Sequence, residues 1–508
     1  MFSMLKRMTH SISMSHSTHS GASYEEAIKA LCLTLQSNTA YLQSVQQHVV
    51  NDPKKLKETE KYLLRSGITL EQLDSLSCIH VAGTKGKGST CATTEAILRQ
   101  HGFSTGFFSS PHLISVRERI RINGEPISQK YFAHSFWKVY RRLEQNREHE
   151  SDMPTYFKFL TILMFHVFLE ANVDVAIVEV GIGGELDSTN VLRNPVCVGV
   201  TSLGLEHVSL LGNTLEEIAQ QKSGIFKPNA AAFTVPQTES AMRVLYKRAV
   251  ERRCRSLKVV PAIQNQEWKQ VFSSTGIISD VQRQNVSLSI HMAFEWMKSR
   301  RNKSLITDDE YNDFSLHEYQ SDKDELSKGI SLEKTALALA SYKWPGRTQI
   351  LKTSVADFFL DGAHTGESIV HCVSWFKRAS RRTSSKFLIF NTTGDRDSFE
   401  LLKLLTPLGF DRAYFTPNYA GVANIENLSN YTMTSDQKKR CEEHCEQWGK
   451  SSVLKYSVAE VLVDIKRHNA STQVTGDGKA EVLVTGSLHL VGALLTILDP
   501  DLTMTSNF

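Results

Sequence analysis

Between residues 78 and 102 an apolar run, Cys78-Ile-His-Val-Ala82, passes through Gly83-Thr-Lys-Gly-Lys-Gly-Ser89 into a helical pattern that stops at His101-Gly102. No other stretch constrains the fold as tightly. A strand, a loop with three glycines and two lysines, and a helix must follow one another without a break. Glycines at 83, 86 and 88 allow backbone N–H groups to turn inward, and the helix presents its positive end to an anion. A phosphate group is therefore the expected occupant, held by Thr84, Lys85, Gly86, Lys87, Gly88 and Ser89. Lys87 would reach the terminal phosphates, with a hydroxyl of Ser89 or Thr90 close by. The strict GxxxxGK[ST] pattern is not met, because Val81 stands where its first glycine belongs. A purely structural glycine turn would not require two lysines.

Around this unit short apolar runs alternate with amphipathic ones. Strands are expected at 79–82, up to Ser109-Ser110, at 174–180 and at 196–202, with helices between them, which indicates a parallel sheet covered on both faces. Ser23-Tyr-Glu-Glu26 predicts a capping box that opens a helix over 24–35. A helix over 332–342 ends before Trp344-Pro-Gly346, an expected joint between domains. Beyond it the rhythm resumes at 358–360, 387–390 and 482–484. Two stretches read as polar insertions, about 298–328 and about 426–452. The expected division is a parallel-sheet domain over 23–343 and a smaller α/β domain over 344–508.

Composition narrows the function classes. At 508 residues the chain is long enough for two or three domains. With 58 basic and 54 acidic residues its net charge is +4, too small to call for nucleic acid. The eight cysteines are scattered, which suits a reducing compartment. Cys441, His444 and Cys445 lack a second pair at zinc spacing and read as part of a polar surface helix. The most apolar helical stretch, 157–169, contains Lys158 and His166 and is too short to cross a membrane. Residues 1–22 contain no Asp or Glu and read as a mitochondrial presequence.

Glu179 closes an apolar strand just before a glycine turn, where a buried carboxylate calls for a cation. The loop Gly83–Ser89 together with Val178-Glu-Val-Gly-Ile-Gly-Gly-Glu-Leu-Asp-Ser-Thr-Asn190 resembles the two signatures of the folylpolyglutamate synthase family, which is related to the Mur ligases. The likeness runs on through Ser109-Ser-Pro-His-Leu113, Arg117-Glu-Arg-Ile-Arg-Ile-Asn123, Leu205-Glu-His207, Trp344-Pro-Gly-Arg347, Asp361-Gly-Ala-His364 and Thr485-Gly-Ser-Leu-His489. It implies a P-loop NTPase-like parallel-sheet domain followed by a smaller Rossmann-like domain. It also implies an ATP-dependent ligase that adds L-glutamate to the γ-carboxylate of reduced folates or folylpolyglutamates. Magnesium ligands would fall on Ser110, Glu179 and His207, with Ser109 an alternative to Ser110. Lys222 aligns with a lysine that carries a carbamate in some relatives; unmodified, it would pair with phosphate. Arg347 and Asp361 would contact ATP from the second domain, with His364 near the phosphates, although Asp361 also suits a helix N-cap. Lys87, Lys222 and His364 form the implied catalytic set, and a monovalent cation such as K+ is a further implied cofactor. His112 and Arg119 are candidate folate contacts, while Arg117 and Arg121 suit a solvated surface equally well. A monomer in mitochondrion and cytoplasm is expected. Dihydrofolate synthase, a P-loop ATPase and a non-enzymatic ATP-binding scaffold are the alternatives.

Overall fold

The structure, a computed structural model, describes residues 23–35, 54–260, 271, 280–302, 315–318, 329–342, 344–381, 384–393, 397–422, 434–472 and 479–506. The first sheet is built from β1 (Cys78–Ala82), β2 (Thr105–Phe108), β3 (Ile120–Ile122), β4 (Glu125–Pro126), β5 (Val175–Glu179), β6 (Cys197–Val200), β7 (Ala231–Thr234), β8 (Ser256–Val259) and β9 (Ser315–Glu318). Their order is β4-β3-β2-β5-β1-β6-β7-β8-β9. From β2 to β9 every neighbour pairs in parallel; only β2-β3 and β3-β4 are antiparallel. All five residues of β1 and of β5 are buried, as strands covered on both faces must be.

One face of this sheet carries the helix Tyr156–Glu170, which is apolar all round and buried along nearly its whole length. Gly106 in β2 makes room for it, since a Cβ there would lie 2.8 Å from Phe168. The other face carries Lys87–Gln100, Asp280–Asn302 and Leu332–Ser341, packed around Trp296, Met292 and Ile97. The capping box at Ser23 and Glu26 is present, and its helix Tyr24–Lys29 continues as a π-helical turn, Ala30–Thr34.

The second sheet comprises β10 (Gln349–Lys352), β11 (Ala356–Leu360), β12 (Lys386–Phe390), β13 (Arg412–Phe415), β14 (Ser452–Leu454) and β15 (Ala480–Thr485), in the order β10-β11-β15-β12-β13-β14. All pairs but β10-β11 are parallel. Leu113 and Ile114, from the loop after β2, belong to the apolar cluster of this second sheet. Among the described residues the two sheets are thus joined by shared core as well as by chain.

Two expectations are corrected. The charged stretch 298–328 is not only a surface excursion: Lys298 lies within Asp280–Asn302, and Ser315–Glu318 adds the edge strand β9. Charge density hid the strand, because an edge strand needs only backbone partners. Within 426–452, Thr434–Trp448 is a surface helix as expected, but one face of it is buried. Cys441 and His444 are fully buried, with the imidazole between Phe390 and Phe415 at centroid distances of 5.3 and 5.6 Å. Cys441, Cys445 and Trp448 stand at i, i+4 and i+7 and form a narrow inward stripe that the polar composition disguised. Residues 1–22, including the expected presequence, lie outside the described residues.

Candidate active site

The parallel strands β2, β5, β1 and β6 all end at one edge, and the segments that leave them converge there. Ligands of open parallel sheets bind beyond such carboxyl ends. Gly83 follows β1 with φ 146°, and a Cβ on it would lie 1.8 Å from Thr201 Oγ1, so the loop can leave the strand this closely only at glycine. Thr84 exchanges hydrogen bonds with Gly204, its Oγ1 donating to the carbonyl at 3.1 Å and accepting from the N–H at 3.1 Å. Gly86, at φ 88°, is the N-cap of Lys87–Gln100. Lys87 opens that fourteen-residue helix, and its Nζ lies 3.4 Å from the carbonyl of Thr84. Ser89 and Gly88 sit on the first turn, and a Cβ on Gly88 would meet Trp344 at 3.1 Å and Glu179 at 3.4 Å.

Glu179 is 3% exposed, and its Oε2 accepts a hydrogen bond from the Ser110 backbone N–H at 3.0 Å. Burial raises its carboxyl pKa above the usual carboxylate range, against the opposing charge of Lys87. No lysine or arginine lies within ion-pair distance of it among the described residues. A buried, unpaired oxygen donor at the mouth of a phosphate loop fits a hard cation. The described residues hold no group of three or more His, Cys, Asp or Glu arranged for a metal. A magnesium ion here would therefore draw on a hydroxyl, water and substrate phosphate. Ser110 meets Glu179 directly, and His207 lies in the loop after β6, exposed, at φ 53°. Asp187 fixes the turn after Glu179, accepting from the N–H groups of Gly181, Ile182 and Thr189.

Lys222 approaches the loop from within the protein. It is 4% exposed, and its Nζ donates to the carbonyl of Gly83 at 2.8 Å. Burial, helped by the charge of Lys87, pushes its ammonium pKa down to about 7.

The second domain meets the loop through His364, with Asp361 and Arg347 beside it. His364 Nε2 lies 3.2 Å from Lys85 Nζ and 3.1 Å from Glu206 Oε1. Lys85 in turn contacts Glu206 Oε1 at 2.9 Å. Asp361 accepts from the N–H groups of Thr348 and Ala363, each at 2.9 Å, and the N-cap of the following helix is Thr365, not Asp361. Burial raises the Asp361 carboxyl, opposed by the charge of Arg347. Gly362 lets the Arg347 guanidinium lie across it, for a Cβ there would come within 2.6 Å of Nη1.

Comparison with known proteins sets this geometry in context. Residues 81–296 match the Mur ligase middle domain. The mitochondrial folylpolyglutamate synthase of Cricetulus griseus is 38% identical, covering 95% of this chain and 93% of its own length. The human enzyme of that name is 39% identical, over 94% and 92%. The chain belongs to the folylpolyglutamate synthase family. Its fold agrees with the Mycobacterium tuberculosis folylpolyglutamate synthase solved with ADP and AMPPCP, at TM-score 0.63 and 23% identity over 86% of this chain and 95% of that one.

For this member of the folylpolyglutamate synthase family, the remaining predicted residues fall at the β2 side. Arg119 Nε donates to His112 Nδ1 at 2.8 Å, both side chains are buried, and the guanidinium lies 5.5 Å over the ring of Tyr156. Arg117 and Arg121 are half-buried: Arg117 donates to the carbonyl of Ile127, Arg121 to those of Glu118 and Gly124, and Arg121 also lies over Trp344 at 5.9 Å. Ser487 caps Leu488–Leu498 and accepts from the N–H of His489. Two residues escaped the sequence reading. Glu118 accepts from three successive backbone N–H groups, those of Leu113, Ile114 and Ser115, and so shapes the loop that follows Ser110. Glu206 was quoted only as part of Leu205-Glu-His207; an acid in a strand-end loop facing two basic residues was the signal available.

Proposed function

We propose that the chain joins the amine of L-glutamate to the γ-carboxylate of tetrahydrofolate or its polyglutamates, with ATP converted to ADP and phosphate. The family supplies the ligase activity. The observation that carries the site is that His364, from the second domain, lies against Lys85 of the phosphate loop. A simple P-loop hydrolase has no need of such a roof.

The γ-carboxylate attacks the terminal phosphorus of ATP, ADP leaves, and the amine of glutamate then attacks the acyl carbon and displaces phosphate. Positioning and charge neutralisation carry most of phosphoryl transfer. The N–H groups at the start of Lys87–Gln100 and the loop Thr84–Ser89 would hold the phosphates. Lys87 offsets charge on the transferred group, and Arg347 and Asp361 approach the nucleotide from the other side. Glu179 and Ser110, with His207, would hold magnesium, which supplies charge neutralisation at the phosphate oxygens. Lys222 has the lowered pKa that leaves an amine free to take up carbon dioxide, and as a carbamate it would become an oxygen ligand; otherwise it is a cation beside Gly83. A monovalent cation remains part of this reading. His112 and Arg119, a buried pair beside Tyr156, would meet the folate from within the site and not from an exposed surface. Closure of the second domain excludes water that would hydrolyse the acyl phosphate. Activity in both mitochondrion and cytoplasm is part of the proposal, motivated by the mitochondrial relatives and the acid-free leader.

The test is incubation with ATP, magnesium and L-glutamate plus either tetrahydrofolate, its diglutamate or dihydropteroate, with products weighed by mass spectrometry. Extension of the two folates by glutamate is expected. Product from dihydropteroate alone would assign dihydrofolate synthase, and ADP release without acceptor and glutamate would leave only an ATPase.

A further inference from the structure

Glu206 has no part in the scheme above, yet it touches two of the residues that do. We propose that Glu206 is a positioning residue that binds Lys85 of the phosphate loop and His364 of the second domain into one unit, aiming Lys85 at the terminal phosphate when the domains are closed. The inference rests on the reading of the loop as an ATP site.

The geometry leaves each group little choice. Glu206 Oε1 lies 2.9 Å from Lys85 Nζ and 3.1 Å from His364 Nε2, which are themselves 3.2 Å apart. His364 Nδ1 is 2.7 Å from the carbonyl of Gly362, which can only accept, so that nitrogen carries the hydrogen and the ring is fixed against its own backbone. Lys85 donates to Glu206 Oε1, while His364 Nε2 donates to that same oxygen when the ring is charged and accepts from Lys85 when it is neutral; in either form at least one N–H of the ammonium is left for a phosphate oxygen. All three side chains are a quarter exposed or less, so their charges are only weakly screened. The loop that carries Glu206 is itself wedged between the domains: a Cβ on Gly204 would lie 3.8 Å from Thr84 and 3.9 Å from Glu367 of the second domain. Without the carboxylate, Lys85 loses its one anionic partner among the described residues and keeps only the imidazole, so a long lysine side chain regains rotamer freedom.

The experiment compares Glu206→Gln, Glu206→Asp, His364→Asn, the double variant E206Q/H364N and Lys85→Ala in the full chain. Steady-state rates are measured against ATP and against tetrahydrofolate, with thermal midpoints recorded. We expect E206Q to lower kcat/KM for ATP about 10- to 100-fold, the factor carried by a lost charge-assisted hydrogen bond. KM for tetrahydrofolate and the thermal midpoint should stay close to those of the parent. Glu206→Asp should recover part of the loss, and the double variant should be no worse than the poorer single one, because the two residues act as a unit. Unchanged kcat/KM for ATP in E206Q, a gain in ATP affinity, fully additive losses, or a parallel fall in folate use and stability would each overturn the proposal. Lys85→Ala separates the two levels. If it keeps normal ATP use, the phosphate-loop reading fails; if it fails while E206Q works, only the role of Glu206 falls.

Discussion

Lys87 and Lys222 contact neighbouring carbonyls of the same loop, those of Thr84 and Gly83, and are asked to do different things. Lys87 lies at the positive end of a helix, facing where phosphate would sit, so Lys87→Ala should lower the ligation rate at saturating ATP at least about 100-fold while the fold survives. Turnover close to the parent's would remove the residue from phosphoryl transfer. Lys222 is buried, with an ammonium pKa of about 7 in place of the usual 10.5. Between those values the unfolded chain holds a proton that the folded chain lacks, so stability rises with pH across that window and is lowest below pH 7. Lys222→Met should therefore abolish ligation yet raise stability by on the order of 1–3 kcal/mol below pH 7, the gain shrinking towards pH 10. Denaturant melts at several pH values check this; a gain that does not change with pH would mean that Lys222 is not held as a buried, titrating amine.

Single elements bring the domains together. Leu488–Leu498 passes so near the loop after β2 that a Cβ on Gly492 would lie 2.0 Å from the carbonyl oxygen of Leu113. The backbone atom cannot yield, so Gly492→Ala should cost about 1–3 kcal/mol of overpacking and shift the second domain from the loop that carries Ser110. Both the thermal midpoint and the ligation rate should fall, and a variant with parental values would show that this contact does not set the docking. Other elements show how legible the sequence was. The strand, glycine loop and helix from Cys78 to Gln100 could be read directly, since alternation of pattern and three glycines admit few folds. Thr434–Trp448 could not: its inward stripe is Gln437, Cys441, His444, Cys445 and Trp448 in a polar segment, and what buries it includes Phe390 and Phe415 of β12 and β13. Strand β9 was hidden for the same reason, its place being set by pairing with β8 and not by its own composition.

At the scale of the whole molecule the proposed site draws on both sheets. The phosphate loop ends the first sheet's central strand, while Arg347, Asp361 and His364 come after Trp344, which lies close to Gly88 and packs at a tilt against Phe107. A chain ended at Tyr342 should bind ATP weakly and make no amide bond, which equilibrium nucleotide binding and a ligation assay on that fragment would show. Ligation near the intact rate would remove the second domain from the active site. The sequence by itself determined the parallel α/β class and the strand, glycine loop and helix from Cys78 to Gln100, because glycine placement and alternation of pattern are local signals. Only the tertiary structure decided which residues meet at that loop. Strand order brings the ends of β2, β5, β1 and β6 to one edge, and docking of the second sheet sets His364 against Lys85 and Glu206. Such contacts join residues more than a hundred positions apart, and no local pattern encodes a distance of that kind; it follows from which apolar faces must be buried together.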